Sequence, residues 1–199
     1  GQPVNIGAAD AHAIRVNFVG ELGWELHHPI ETQNYIFDRL FEAGEEFDLK
    51  PFGIRAMDSL RLEKSYRLIP RELSVEYAAL ESGLERFVSW DKGDFVGKAG
   101  LDAWRNRGFQ WHFVTLEISG INDVDARGSE PIYDGAELIG RCTSGGYGWR
   151  VGKSLALGMV HPDRAGLGNK WEVEILGERF SATVIPESPF DPQHQRLRG

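Results

Sequence analysis

The chain has 199 residues, enough for one large domain or two small ones. Hydrophobic residues make up 41% and charged residues 26%, as in ordinary folded proteins, so long disordered stretches are excluded. The formal net charge is -8 and no run of Lys or Arg forms a basic stripe, which argues against nucleic-acid binding.

Residues 11–29 show the first clear pattern. Apolar residues alternate on both sides of Gly20-Glu21-Leu22-Gly23, which predicts a β-hairpin with its turn there. Apolar residues at helical spacing then predict one helix over residues 30–47 and a second over residues 53–66. A short third helix is predicted over residues 98–107.

From residue 111 the periodicity changes to short β-like runs at 111–118, 137–141, 154–161, 171–176 and 179–185, separated by glycines and turns. Evenly spaced short strands of this kind are typical of a small barrel or sandwich. The glycine-rich stretch 143–149 lacks the Gly-Lys-Ser/Thr ending of a phosphate-binding loop, so it predicts a tight bend in the barrel. We therefore predict an α+β fold, with residues 1–110 forming a mixed domain and residues 111–199 a small antiparallel β-barrel.

Several kinds of site are disfavoured. Cys142 is the single cysteine and cannot form an internal disulfide. The histidines give no ligand spacing, and the adjacent His27 and His28 point to opposite faces of a strand, so we predict no metal site and interpret both as structural or exposed. No apolar run approaches the roughly 20 residues that cross a bilayer, and no signal-peptide pattern opens the chain, so we expect neither membrane insertion nor secretion.

Glu25 is the strongest candidate for binding. On the returning strand of the hairpin, Glu25 points away from the face that carries Trp24. A carboxylate there can accept two parallel N–H bonds from a flat heterocycle such as a pterin, and the alternative is a solvated hairpin face.

On the second predicted helix, Asp58 and Arg61 are three residues apart. They fit either a salt bridge or a cation beside a ligand carboxylate, and spacing alone does not separate these.

Six segments occur in the order found in glycine-cleavage T-proteins, the aminomethyltransferase family: VGELGWELHHP, AMDSLRLEKSYR, LESGLERFV, KGDFVGKAGL, CTSGGYGWRVGKSLALGMV and PESPFDP. The chain resembles this family over nearly its whole length. The AMDSLRLEK and GWELHHP segments are most similar to the branch fused to dimethylglycine and sarcosine dehydrogenases. The resemblance implies the C-terminal half of a folate-binding domain, followed by the family's C-terminal barrel.

The resemblance also implies a set of folate contacts. Glu25 matches the family glutamate that holds the pterin edge, and Phe18 matches an aromatic residue of the same pocket. Tyr66 and Trp90 match positions near the folate, and Arg196 matches the tail that meets the ligand.

Three positions depart from the family pattern. Phe18 replaces the tyrosine of many relatives, and so lacks a phenolic hydrogen bond. Met57 replaces an arginine, which puts a direct charge contact to folate at that place in doubt. Lys92-Gly93-Asp94-Phe95 replaces the Lys-Gly-Cys-Tyr motif of the iron-sulfur assembly relatives, which weakens that branch.

The implied activity is transfer of a one-carbon unit from a methylated amine or aminomethyl group to tetrahydrofolate. The family's catalytic aspartate lies upstream of Gly1, so the catalytic residue of this chain is unknown and we expect the chain alone to be inactive. FAD is expected only in the N-terminal part of the parent enzyme. The expected partners are folate, a small methylated amine and that N-terminal part, with self-association through the surface that it would cover.

The expected compartment is the bacterial cytoplasm or the mitochondrial matrix. Two alternatives stay open, a non-catalytic folate-binding domain and a purely structural or interaction domain.

Overall fold

A computed structural model describes residues 1–121 and 123–198 of the chain. The chain forms two compact units. The first comprises residues 1–61 and the tail from residue 193, and the second comprises residues 62–192. The boundary predicted near residue 110 lies inside the second unit, and the division into domains 1–110 and 111–199 stays a prediction.

Residues 1–61 of the first unit form a three-stranded antiparallel sheet followed by helices. Strands β1 (Gln2–Ile6), β2 (Ala9–Ile14) and β3 (Glu25–His27) lie in the order β1-β2-β3. Helices α1 (Gln33–Gly44) and α2 (Ile54–Leu62) follow. Alternation along β2 buries Ala9, Ala11 and Ala13 and leaves Asp10 and His12 exposed. The sheet therefore has a buried face of small residues and a polar face.

The predicted hairpin is present, but its turn is longer than the sequence indicates. His12 pairs with His27 and Ile14 pairs with Glu25, so residues 15–24 form the connecting loop. Trp24 lies in this loop with 58% of its surface exposed, so it is not part of the returning strand. The alternation of Leu22 and Trp24 comes from a loop and not from a strand.

The helix predicted over residues 30–47 is present as α1, with a short 3-10 turn at each end. The helix predicted over residues 53–66 ends at Leu62, four residues early. Glu63, Lys64 and Ser65 are fully buried, and Ser65 has a left-handed φ of 55°. Beyond the end of the helix, Ser65 Oγ accepts a hydrogen bond from Thr115 Oγ1 of the barrel (2.8 Å).

The second unit is built on a closed six-stranded antiparallel barrel. Its strands are β4 (His112–Ile118), β5 (Pro131–Asp134), β6 (Glu137–Gly148), β7 (Lys153–Val160), β8 (Lys170–Ile175) and β9 (Glu178–Ile185), in the order β4-β7-β6-β5-β8-β9. Its core contains fully buried aliphatic side chains, among them Leu116, Ile132, Ile139 and Val173. Helix α3 (Lys98–Arg107) has the bounds that the sequence predicts.

The glycine-rich stretch 143–149 is not a tight bend, and that prediction is wrong. It continues β6 as a strand, with a register shift between Cys142 and Ser144. The glycines are required by close packing, because a Cβ on Gly145 would lie 2.4 Å from the carbonyl oxygen of Ala126. The stretch is therefore part of a barrel strand and does not form a phosphate-binding loop.

Three buried carboxylates hold the irregular segment 63–97, which precedes helix α3, to the barrel and to the residues that lead into it. Glu63, Glu72 and Glu81 are each at most 1% exposed. Glu72 accepts hydrogen bonds from Thr143 Oγ1 (2.5 Å), Ser144 Oγ (2.6 Å) and the backbone N–H of Leu68 (2.8 Å).

Glu81 accepts from the backbone N–H groups of Ala78, Gln110 and Trp111 (2.8–3.1 Å). Glu63 accepts from the backbone N–H of Arg150 (2.6 Å) and from its Nε (2.5 Å). Since a buried carboxylate is tolerated only when such donors surround it, these contacts fix the path of a segment with little regular structure.

We expect Glu72→Ala to lower the free energy of unfolding by about 2–4 kcal/mol, because it leaves buried hydroxyl and N–H donors without an acceptor. Glu72→Gln should cost less, since its amide oxygen still accepts. The exposed Glu178→Ala is the matched control, with a change within about 0.5 kcal/mol. Urea unfolding followed by tryptophan fluorescence measures each value, and an equal cost for Glu72→Ala and Glu178→Ala would contradict the anchoring role.

Candidate functional site

Glu25 lies at the start of the edge strand β3, on the polar face of the sheet. Its side chain is 60% exposed, and its Oε2 lies 3.2 Å from His27 Nε2. Among residues 1–121 and 123–198, no side chain or backbone group bonds to its Oε1. The carboxylate therefore presents acceptor positions outward, and it can take two parallel N–H bonds from a planar ligand.

The tail from residue 193 folds back on the loop 15–24 within the first unit. Arg15 Nη2 donates to the carbonyl oxygens of Leu197 (3.1 Å) and Arg198 (3.0 Å), in the short helix α4 (Gln195–Arg198). Arg196 Nη1 lies 3.3 Å from both carboxylate oxygens of Glu21. These contacts hold Arg196 beside the loop that carries Phe18.

Phe18 is half-buried in that loop. The loop has its own internal hydrogen bond, from the backbone N–H of Gly20 to Asn17 Oδ1 (3.2 Å). Phe18, Glu25 and Arg196 thus belong to one compact unit.

Tyr66 and Trp90 belong to the second unit. Tyr66 is half-buried directly after the buried run that ends at Ser65. Trp90 is also half-buried, with the Arg105 guanidinium 4.5 Å from its ring centroid. The Trp90 Nε1 atom is buried without a hydrogen-bond partner in the part of the chain that the structure describes. The five predicted residues are therefore divided between the units, three in the first and two in the second.

Asp58 and Arg61 form the salt bridge that their spacing allows, with Arg61 Nε 2.6 Å from Asp58 Oδ1. The Arg61 side chain is completely buried, whereas the Asp58 side chain is 38% exposed. Met57, at the place of the family arginine, is half-buried. The geometry favours the structural interpretation of Arg61 over a contact with a ligand carboxylate.

Sequence reasoning missed the contact between His27 and Glu25. His27 was interpreted as structural or exposed, yet its ring nitrogen is the hydrogen-bond partner of the proposed ligand-binding carboxylate. The signal was available in the spacing, because residues two apart on a strand share a face.

Residues 1–121 and 123–198 contain neither a metal-binding cluster nor a membrane-spanning helix. No group of three or more His, Cys, Asp or Glu side chains there is placed to hold a metal ion. No helix in the same residues combines the length and apolarity of a membrane span.

Burial raises the pKa of the Cys142 thiol, and the charge of Glu130 raises that pKa further. Cys142 is therefore a packed side chain and not a nucleophile.

We expect native Cys142 to react with a disulfide reagent at least about 100-fold more slowly than the unfolded chain at pH 8, because burial keeps the thiol protonated and inaccessible. Absorbance of the released thiolate measures both rates, and urea-unfolded protein is the control. Equal rates in the two states would contradict this assignment.

The fold and the site together define a class, an α+β protein with a six-stranded antiparallel barrel and an exposed carboxylate on a separate small sheet. Residues 1–92 match the family model described as the GCVT N-terminal domain. Residues 112–191 match the model described as the glycine cleavage T-protein C-terminal barrel domain. The chain belongs to the glycine cleavage T-protein (aminomethyltransferase) family, as the sequence predicts.

Curated relatives agree with this assignment. The chain is 39% identical over 189 residues to a mitochondrial dimethylglycine dehydrogenase of Homo sapiens. The aligned residues cover 94% of this chain and 22% of that protein. It is 36% identical over 188 residues to an aminomethyltransferase of Thermosynechococcus vestitus, which covers 94% of this chain and 50% of that protein. The chain thus spans about a quarter to a half of these relatives.

A solved structure supports the fold. The glycine cleavage system aminomethyltransferase T of Bartonella henselae matches with a TM-score of 0.81 at 22% identity, over 90% of this chain and 49% of that one. At this identity the match supports the α+β fold with its barrel.

Proposed function

We propose that the chain is the tetrahydrofolate-binding part of a larger enzyme that resembles dimethylglycine or sarcosine dehydrogenase. That enzyme would transfer a one-carbon unit from a methylated amine or aminomethyl group to tetrahydrofolate. The observation that carries the proposal is the exposed Glu25 carboxylate, which has one oxygen against His27 and the other without a hydrogen-bond partner among the described residues.

The chemistry of this carboxylate fits a reduced pterin. The pyrimidine edge of the pterin carries two adjacent N–H donors, and an ionised carboxylate accepts such a pair in parallel. Phe18 would pack against the ring, and Arg196 would pair with an anionic part of the ligand in exchange for Glu21. Tyr66 and Trp90 are proposed as further folate contacts. The protein would then act by orienting the pterin and excluding water.

Other parts of the reaction are assigned to the parent enzyme. The methylated amine, FAD and the catalytic aspartate would belong to its N-terminal part, and no residue of this chain is assigned to them. The compartment would be the mitochondrial matrix or the bacterial cytoplasm, by analogy with relatives such as the mitochondrial dehydrogenase.

A second candidate function is an interaction domain without catalysis. Large apolar side chains of the first unit are strongly exposed, including Ile30, Phe47, Phe52 and Ile54 (62–77%). Surfaces of this kind are typical of contacts with another protein segment. The proposed occupant is the N-terminal part of the parent enzyme, and in its absence a second copy of this chain.

The folate proposal is tested by titrating tetrahydrofolate anaerobically into the chain and into Glu25→Gln by calorimetry. The neutral amide presents one acceptor and one donor group, so we expect the Kd of Glu25→Gln to rise roughly 10-fold to 100-fold. Glu31→Gln, at another exposed glutamate of the first unit, is the matched control and should bind as the wild type does.

Equal binding by the wild type and Glu25→Gln would remove Glu25 from the site. No binding by either would contradict the proposal for this chain and favour the interaction domain.

A further inference from the structure

We propose that His27 is a positioning residue for Glu25 and that its protonation makes folate affinity depend on pH. This inference rests on the proposed function, because it deepens the role of the Glu25 carboxylate. It assigns to His27 a function that the sequence did not indicate.

The geometry of β3 carries the inference. Glu25 and His27 are two residues apart on a three-residue strand, so both side chains lie on its exposed face. His27 Nε2 is 3.2 Å from Glu25 Oε2, and the two side chains are 58% and 60% exposed. Since an exposed glutamate has several rotamers of similar energy, this hydrogen bond selects the one that directs the second oxygen outward.

The groups of the sheet that face His27 are few. His12 lies directly opposite on β2, and Asp10 follows on the same face of that strand, where Asn5 Nδ2 donates to it. The third strand places Pro3 opposite His12. Glu25, His12 and Asp10 are therefore the titratable groups that the sheet presents around the His27 ring. The strand order β1-β2-β3 leaves the other side of β3 as a sheet edge.

Protonation of His27 changes what Glu25 offers a ligand. A neutral ring with its proton on Nε2 donates one hydrogen bond and leaves the carboxylate its full negative charge. A protonated ring makes an ion pair with Glu25, which weakens the carboxylate as an acceptor for the N–H groups of the pterin. The protonated form of His27 should therefore leave tetrahydrofolate bound more weakly than the neutral form does.

Tetrahydrofolate binding to the 199-residue chain, measured by anaerobic calorimetry at pH 8 and pH 5.5, tests the inference. We expect the wild-type Kd to rise roughly threefold to tenfold at the lower pH. His27→Gln keeps a donor but cannot gain a proton, so its Kd should be near the wild-type value at pH 8 and change less than about twofold at pH 5.5.

Two variants separate positioning from general disruption of the strand. His27→Ala removes the donor, so its Kd should rise roughly threefold to tenfold at pH 8, and this loss should vanish in a Glu25→Gln background. His12→Gln changes the histidine opposite and should keep the wild-type pH dependence.

The outcomes distinguish this inference from the proposed function. Suppose that wild-type binding depends on Glu25, but that His27→Gln shows the same pH dependence as the wild type. This result would overturn the role of His27 and leave the proposed function standing. An undiminished effect of His27→Ala in the Glu25→Gln background would also overturn it. No binding by the wild type at either pH would overturn the proposed function and this inference together.

Discussion

The second unit depends on one physical constraint, that a buried carboxylate must be surrounded by hydrogen-bond donors. Glu63, Glu72 and Glu81 are buried, and an unpaired charge at such a place would cost several kcal/mol. This cost is comparable to the net free energy of unfolding of a whole domain. Each is satisfied by backbone N–H groups, and Glu63 and Glu72 also by side chains from the barrel. Segment 63–97 has little regular structure, and these acceptors replace the hydrogen bonds that a helix or sheet would otherwise provide.

In the first unit, by contrast, the carboxylate of Glu25 is exposed to solvent and has few hydrogen-bond donors around it. Glu25 is on an edge strand, mostly exposed, and its single side-chain hydrogen bond in the described part of the chain is to His27. A carboxylate with spare acceptor positions does little for stability, but it is suited to binding a ligand that brings its own N–H donors.

Local pattern predicted much of the fold. The helix at residues 98–107 and most barrel strands follow from periodicity alone. Strands β1 and β5 were not predicted from the sequence. The glycine-rich part of β6 was mistaken for a bend, although Gly145 is required there by close packing against Ala126.

The site was less predictable than the fold. Spacing placed Glu25 on a strand face, but its choice over Glu21 came from family resemblance, and the structure engages Glu21 with Arg196. Burial of Glu63 could not be read from helical spacing, since its partners are set by tertiary structure. Glu63, for example, bonds to Arg150, which is 87 residues away in sequence.

The central claim is that a reduced folate binds at the exposed carboxylate of the small sheet. Two-dimensional amide NMR of the ¹⁵N-labelled chain, recorded while tetrahydrofolate is added, tests it most directly. The account predicts that the largest shift changes fall on residues 15–27 and on the tail from residue 193. Changes confined to the barrel, or no saturable change at all, would contradict it.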